Sequence, residues 1–80
     1  MITLVEDELK QKVVDHWYVG FTEYAMFYIN GIAVCVSHNE KAPMPYVASY
    51  GNRNGGITFV YSGTSRAGML GALKEFIKEN

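Results

Sequence analysis

Apolar positions along the chain follow two spacings, one near four residues and one of two, and the switches between them divide it into elements. In "TLVEDELKQKVVDHW", Val5, Leu9, Val13 and Trp17 recur every fourth position with Val14 beside them. That stripe predicts an amphipathic helix with one packed side and one wet side. Thr3 and Glu6 have the spacing of a capping box, in which each side chain satisfies a backbone N–H, so loss of Thr3 is expected to cost about 1 kcal/mol. Glu6, Asp7 and Glu8 stand where the helix dipole favours acids. Gly20 is the expected stop.

The spacing then shortens to two. "TEYAMFYI" and "IAVCVS" flank Asn30-Gly31, the pair that best supplies the positive φ angles of a two-residue type I′ turn. A hairpin with this turn has only one register: Ile29 opposite Ile32, Phe27 opposite Val34 and Ala25 opposite Val36 on one side. Tyr24, Met26, Tyr28, Ala33, Cys35 and Ser37 line the other. The aliphatic side is the expected core. "HNEKAPMP" follows as a loop, because Pro43 and Pro45 interrupt both helix and ladder.

"YVASYG" and "ITFVYS" predict a second hairpin, joined through the glycine- and asparagine-rich 51–56 segment. One register places Tyr46, Ala48, Tyr50, Phe59 and Tyr61 together, opposite Val47, Ser49, Val60 and Ser62. From Thr64 or Ser65, "SRAGMLGALKEFIKEN" returns to helical spacing through Met69, Leu70, Leu73, Phe76 and Ile77. Lys74 and Lys78 suit its C-terminal end. Gly68 and Gly71 weaken this helix by up to about 1 kcal/mol each, which points to close approach against the sheet.

The order α-β-β-β-β-α predicts an α+β two-layer sandwich: a four-stranded antiparallel sheet with the N- and C-terminal helices packed on one face. Eighty residues make one compact domain, 1–80. With 49% apolar or aromatic residues and 19% charged, the chain is too hydrophobic to be disordered. Seven basic against eight acidic side chains give no general attraction for nucleic acid. The single cysteine leaves no internal disulfide and no cysteine-based zinc cage. "MITLVEDELKQKVV" has acids where a signal peptide needs a basic region, and no apolar run approaches a membrane span. A cytoplasmic setting is the expectation.

Candidate chemistry is sparse. Cys35 and His38 are three apart on one strand and so project to opposite faces, which argues against a nucleophile–base pair. His16 and His38 lack metal-ligand spacing, and the acids cluster where a solvated helix face explains them. No catalytic residue, cofactor or metal ligand is assigned. "GTSRAGMLG" places hydroxyls and Arg66 at a helix start, where anions bind, but it matches no phosphate-binding fingerprint, and capping explains it.

The tyrosines are more informative. Tyr18, Tyr24, Tyr28, Tyr46, Tyr50 and Tyr61 all lie between His16 and Ser65, where the only formal charges are Glu23, Glu40, Lys41 and Arg53. With the helices over the Phe27 side, Tyr24, Met26 and Tyr28 are left on an uncovered face that Tyr46, Tyr50 and Tyr61 could join. Aromatic residues and methionine with few charges characterise the centre of a protein interface. The plain alternative is that the rings complete the core with their hydroxyls in water. The expected function is therefore a non-catalytic binding module, an inhibitor or adaptor of a larger protein or a self-pairing chain, that uses Tyr24, Met26, Tyr28, Tyr46, Tyr50, Tyr61 and Arg53. Stacking of single-stranded nucleic acid on the same rings ranks second, because Lys41 and Arg53 are the only cations among the strands. The 51–56 loop itself needs no ligand to explain its glycines.

Overall fold

The computed structural model describes residues 1–80 and consists of a five-stranded antiparallel sheet with a helical layer on one side. The strands are β1 (Asp15–Val19), β2 (Thr22–Ile29), β3 (Ile32–His38), β4 (Tyr46–Gly51) and β5 (Ile57–Gly63), and the C-terminal helix α1 spans Arg66–Glu79. They follow one another across the sheet in chain order, a meander. The protein is thus α+β with both helical elements on one face, as expected, but with five strands in place of four.

The extra strand comes from the predicted N-terminal helix. Helical backbone there is limited to residues 2–8: an α-type turn closed by the Val5 N–H on the Met1 carbonyl at 3.1 Å runs into one wide turn over Leu4–Glu8, closed by the Leu9 N–H on the Leu4 carbonyl at 3.0 Å. Lys10 then takes φ 58°, a left-handed conformation that ends the turn. No capping box forms: Thr3 makes no side-chain cap, and Glu6 Oε2 instead accepts from the Val13 N–H at 3.1 Å. Beyond it, Trp17, Tyr18 and Val19 are strand formers, and Val19-Gly20-Phe21-Thr22 closes a tight turn onto β2. Gly20, at φ 58°, occupies the first central position, where a type II′ turn calls for glycine. It turns a hairpin and does not stop a helix.

The second turn behaves as its residues dictate. Asn30 and Gly31 adopt φ 48° and 81°, and β2–β3 pair Ile29 with Ile32, Phe27 with Val34 and Ala25 with Val36. In the 52–56 loop, Asn52 Oδ1 accepts from the N–H groups of Asn54 and Gly56, both at 3.0 Å, and Gly55 sits at φ 81°. The loop is held by its own asparagine. Between β4 and β5 the register slips at Ala48/Ser49, so that Ala48 faces Tyr61 and Ser49 faces Phe59. Val60 is the extra residue of this bulge.

Helix α1 starts at Ser65, whose Oγ accepts from the Gly68 N–H at 2.9 Å. Its buried residues are Met69 and Leu73. With Leu4, Val5 and Leu9 of the N-terminal turn they cover Ala25, Phe27, Ile29, Val34, Val36 and Ala48. Every fully buried strand residue therefore belongs to the helix side of the sheet, and no buried residue is polar. Glu8 and Arg66 form an ion pair that ties the N-terminal turn to the start of α1.

Candidate protein-binding face

Alternation in the strands sends every second side chain away from the helices, and the register sorts these into rows. One row is Trp17, Tyr24, Ser37, Val47 and Ser62; the next is Asp15, Met26, Cys35, Ser49 and Phe59. Tyr28 and Ala33 begin a third, Ile57 lies opposite Gly51 on β4, and Val19 stands at the far end of β1. Nothing covers this open face. Val19, Tyr28, Ile57 and Phe59 are exposed by 62%, 51%, 67% and 62%. Trp17, Tyr24, Met26, Cys35 and Val47 are half-buried against their neighbours.

Asp15, at the start of an edge strand, is the only charged side chain among these residues. The Trp17 and Tyr24 rings stack nearly parallel, 5.2 Å apart at 7°, which fixes a flat aromatic plate at one end of the face. Met26 and Cys35 are paired at the centre, and burial pushes the Cys35 thiol above its usual value, so it stays neutral. Strand spacing and rise make the face about 20 Å by 20 Å, or roughly 400 Å² in projection, a size at which apolar patches on small proteins are often functional.

Three of the residues expected at the surface are here: Tyr24, Met26 and Tyr28. Tyr46, Tyr50 and Tyr61 are not. Ala48 takes the core position beside Val36, so its second neighbours Tyr46 and Tyr50 follow it to the helix side, and Tyr61 pairs with Ala48 itself. Tyr46 stacks on His38 at 4.5 Å, and Tyr50 lies 5.2 Å from the Phe76 ring. The Tyr61 hydroxyl accepts from the Ser65 N–H at 3.2 Å. These three rings finish the core, and only the β2 tyrosines serve the open face. Arg53 stands exposed on the 52–56 loop, outside the strand rows.

Residues that the sequence reading left out complete the surface. By spacing alone Trp17 belongs to the helical stripe, and Phe59 falls with Tyr61 because the bulge that reverses its side leaves no mark in the sequence. The run of strand formers Trp17, Tyr18 and Val19 ahead of Gly20 is the one signal for Trp17.

The polar clusters lie elsewhere. Glu23, on the helix side of β2, accepts from the amino terminus at 3.2 Å and meets His16 Nε2 at 2.8 Å. Burial raises its carboxyl, but the hydrogen bonds and charges of His16 and the amino terminus outweigh this and hold it below the ordinary glutamate range. Cys35 and His38 are on opposite faces of β3, and no three His, Cys, Asp or Glu side chains gather in a metal-binding group. At the start of α1, Ser65 Oγ accepts from the Gly68 N–H and the Arg66 guanidinium pairs with Glu8, so these two side chains are engaged within the chain. No helix is long and apolar enough to cross a membrane. No family model, curated protein or solved structure matches the chain, so its residues carry the functional argument alone.

Proposed function

We propose that the protein is a non-catalytic binding module that docks on a larger protein through the open face of its sheet, as an inhibitor or adaptor. The observation that supports this reading is the asymmetry of the sheet: one face is sealed by α1 and the N-terminal turn, while the other presents Trp17, Tyr24, Met26, Tyr28, Ile57 and Phe59 with Asp15 as the one charge beside them. Apolar area of this kind exposed to water is unfavourable by about 25 cal/mol per Å², and a protein partner with an apolar surface relieves it. A standard interface buries about 800 Å² per partner, so contact extends from the plate over its rim at Val19 and Ile57.

Single-stranded nucleic acid stacked on Trp17 and Tyr24 is the competing reading. It lacks a cation on the strand rows, where a backbone path needs lysine or arginine. Capture from the source cells with wild-type protein and with a Tyr24→Ser/Tyr28→Ser variant tests the proposal. The variant is expected to keep its circular dichroism spectrum and lose the partner, and the wild-type complex is expected to survive raised salt. Retention of the partner by the variant, or steep loss of binding with salt, would count against a protein interface on this face.

A further inference from the structure

The outer edge of β5 carries a second feature that the open face does not account for. β5 is the last strand of the meander, so one row of its backbone N–H and C=O groups has no strand beside it. Ile57–Gly63 contains neither charge nor proline, so the only protection of this edge within the strand is the bulge at Val60, and Ile57–Phe59 before it form a regular ladder. Between β5 and α1 runs a groove of about 340 Å³ that reaches Tyr50 on β4 and Phe59 on β5, and whose lining includes Thr58, Ala72, Glu75, Phe76 and Glu79. Its floor is apolar and its rim acidic. Glu75 and Glu79 are both exposed, and neither has an ion-pair partner.

We propose that the β5 edge accepts an extended segment of another protein as a sixth strand, in which basic and apolar residues alternate. The backbone ladder supplies the attachment, as in other cases of strand addition. Alternation does the rest, because side chains of an added strand project in turn to the two sides of the sheet. Those on the helix side enter the groove, where a lysine or arginine stem lies along Phe76 and Ala72 and its cation meets Glu75 and Glu79. Those on the opposite side stand beside Ile57 and Phe59 and prolong the open face, so they are apolar.

The probe is a peptide of about six residues alternating lysine and valine, titrated into the isotope-labelled protein and followed by backbone amide shifts. Perturbations are expected at Ile57–Val60 and across Ala72–Glu79. N-methylation of the ladder-facing peptide nitrogens is expected to weaken binding by about tenfold or more, since each removes a donor. A peptide with glutamate in place of lysine is expected not to bind. The double variant Glu75→Lys/Glu79→Lys, altered only at exposed helix positions, is expected to exchange this preference and take the glutamate peptide. Tyr24→Ser/Tyr28→Ser is expected to bind the lysine peptide normally, which separates this edge from the open face. Absence of binding at millimolar peptide, shifts confined to other elements, undiminished binding of the N-methylated peptide, or equal binding of the two charge versions would each overturn the proposal.

Discussion

Two glycines in one helix provide a calibrated test of how α1 meets the sheet. Alanine is favoured over glycine by up to about 1 kcal/mol within a helix, so on propensity alone Gly68→Ala and Gly71→Ala should both stabilise. Their surroundings differ. A Cβ at position 71 meets nothing within 4 Å, whereas one at position 68 falls 2.7 Å from Tyr61 Oη and 3.0 Å from two carbons of the same ring. That ring cannot retreat the other way, because a Cβ at position 63 would lie 2.6 Å from its hydroxyl, which shows how closely β5 backs it. Overpacking of this kind costs about 1–3 kcal/mol, enough to cancel the propensity gain of up to about 1 kcal/mol and leave a net change between zero and a loss of about 2 kcal/mol. Gly71→Ala should instead gain about 0.5–1 kcal/mol. Urea unfolding followed by circular dichroism measures both, with an unchanged slope showing that only stability has moved. In a Tyr61→Phe background, which removes the nearest contact atom, Gly68→Ala should cost about 1 kcal/mol less than in wild type. A Gly68→Ala protein as stable as Gly71→Ala would refute the account of Tyr61 as a ring fitted into a slot made by glycines.

Two further outcomes follow from named groups. Because the folded carboxyl of Glu23 is held below its ordinary value, the unfolded chain binds its proton first as acid is added, so this stabilisation is complete above the ordinary value of 4.5 and is lost as pH falls through the folded one. Melting temperature should therefore fall less steeply below pH 4.5 in Glu23→Gln than in wild type, and parallel slopes would contradict the assignment. Cys35, half-buried at the centre of the open face with its thiol raised by burial, should react with a maleimide more slowly than the unfolded chain at the same pH and become inert in the complex. Unchanged labelling of the bound protein would place the interface elsewhere.

How much of the fold was legible depended on how much each element was decided by its own residues. Asn30-Gly31 fixed the β2–β3 register, and with it the side of Tyr24, Met26 and Tyr28, because few residues tolerate two successive positive φ angles. Helix α1 was legible from its apolar period and its Ser65 cap. The N-terminal helix was misread because Val5, Leu9, Val13 and Trp17 satisfy a helical stripe by count. In the folded chain Val5 and Leu9 reach the core from a single wide turn, and Trp17 reaches the opposite face of the sheet from a strand. Both alternating sets in β1 carry an aromatic ring, Tyr18 on one side and Trp17 on the other, so no polar contrast advertised the strand. The second hairpin failed in part for a different reason. A bulge at Val60 depends on how β5 lies against β4 and α1, and no local propensity encodes it, so Phe59 was placed on the wrong side.

The open face also explains why the protein can expose so much apolar surface and still fold to one structure. All of its fully buried strand residues lie under α1 and the N-terminal turn, so the far side contributes little to the core and is left free for contact. Removal of rings there should change binding far more than stability, the reverse of what is expected for Tyr46, Tyr50 or Tyr61 on the covered side.

Trp17 is the only tryptophan in the chain and lies on the open face against Tyr24, so it reports on that surface alone. Incorporation of 5-fluorotryptophan gives one fluorine resonance, whose shift between light and heavy water measures solvent contact. On saturation with the captured partner, the resonance should move and lose most of its solvent isotope shift, as the plate is sealed. A saturated complex in which that resonance keeps both its position and its full isotope shift would contradict docking through this face.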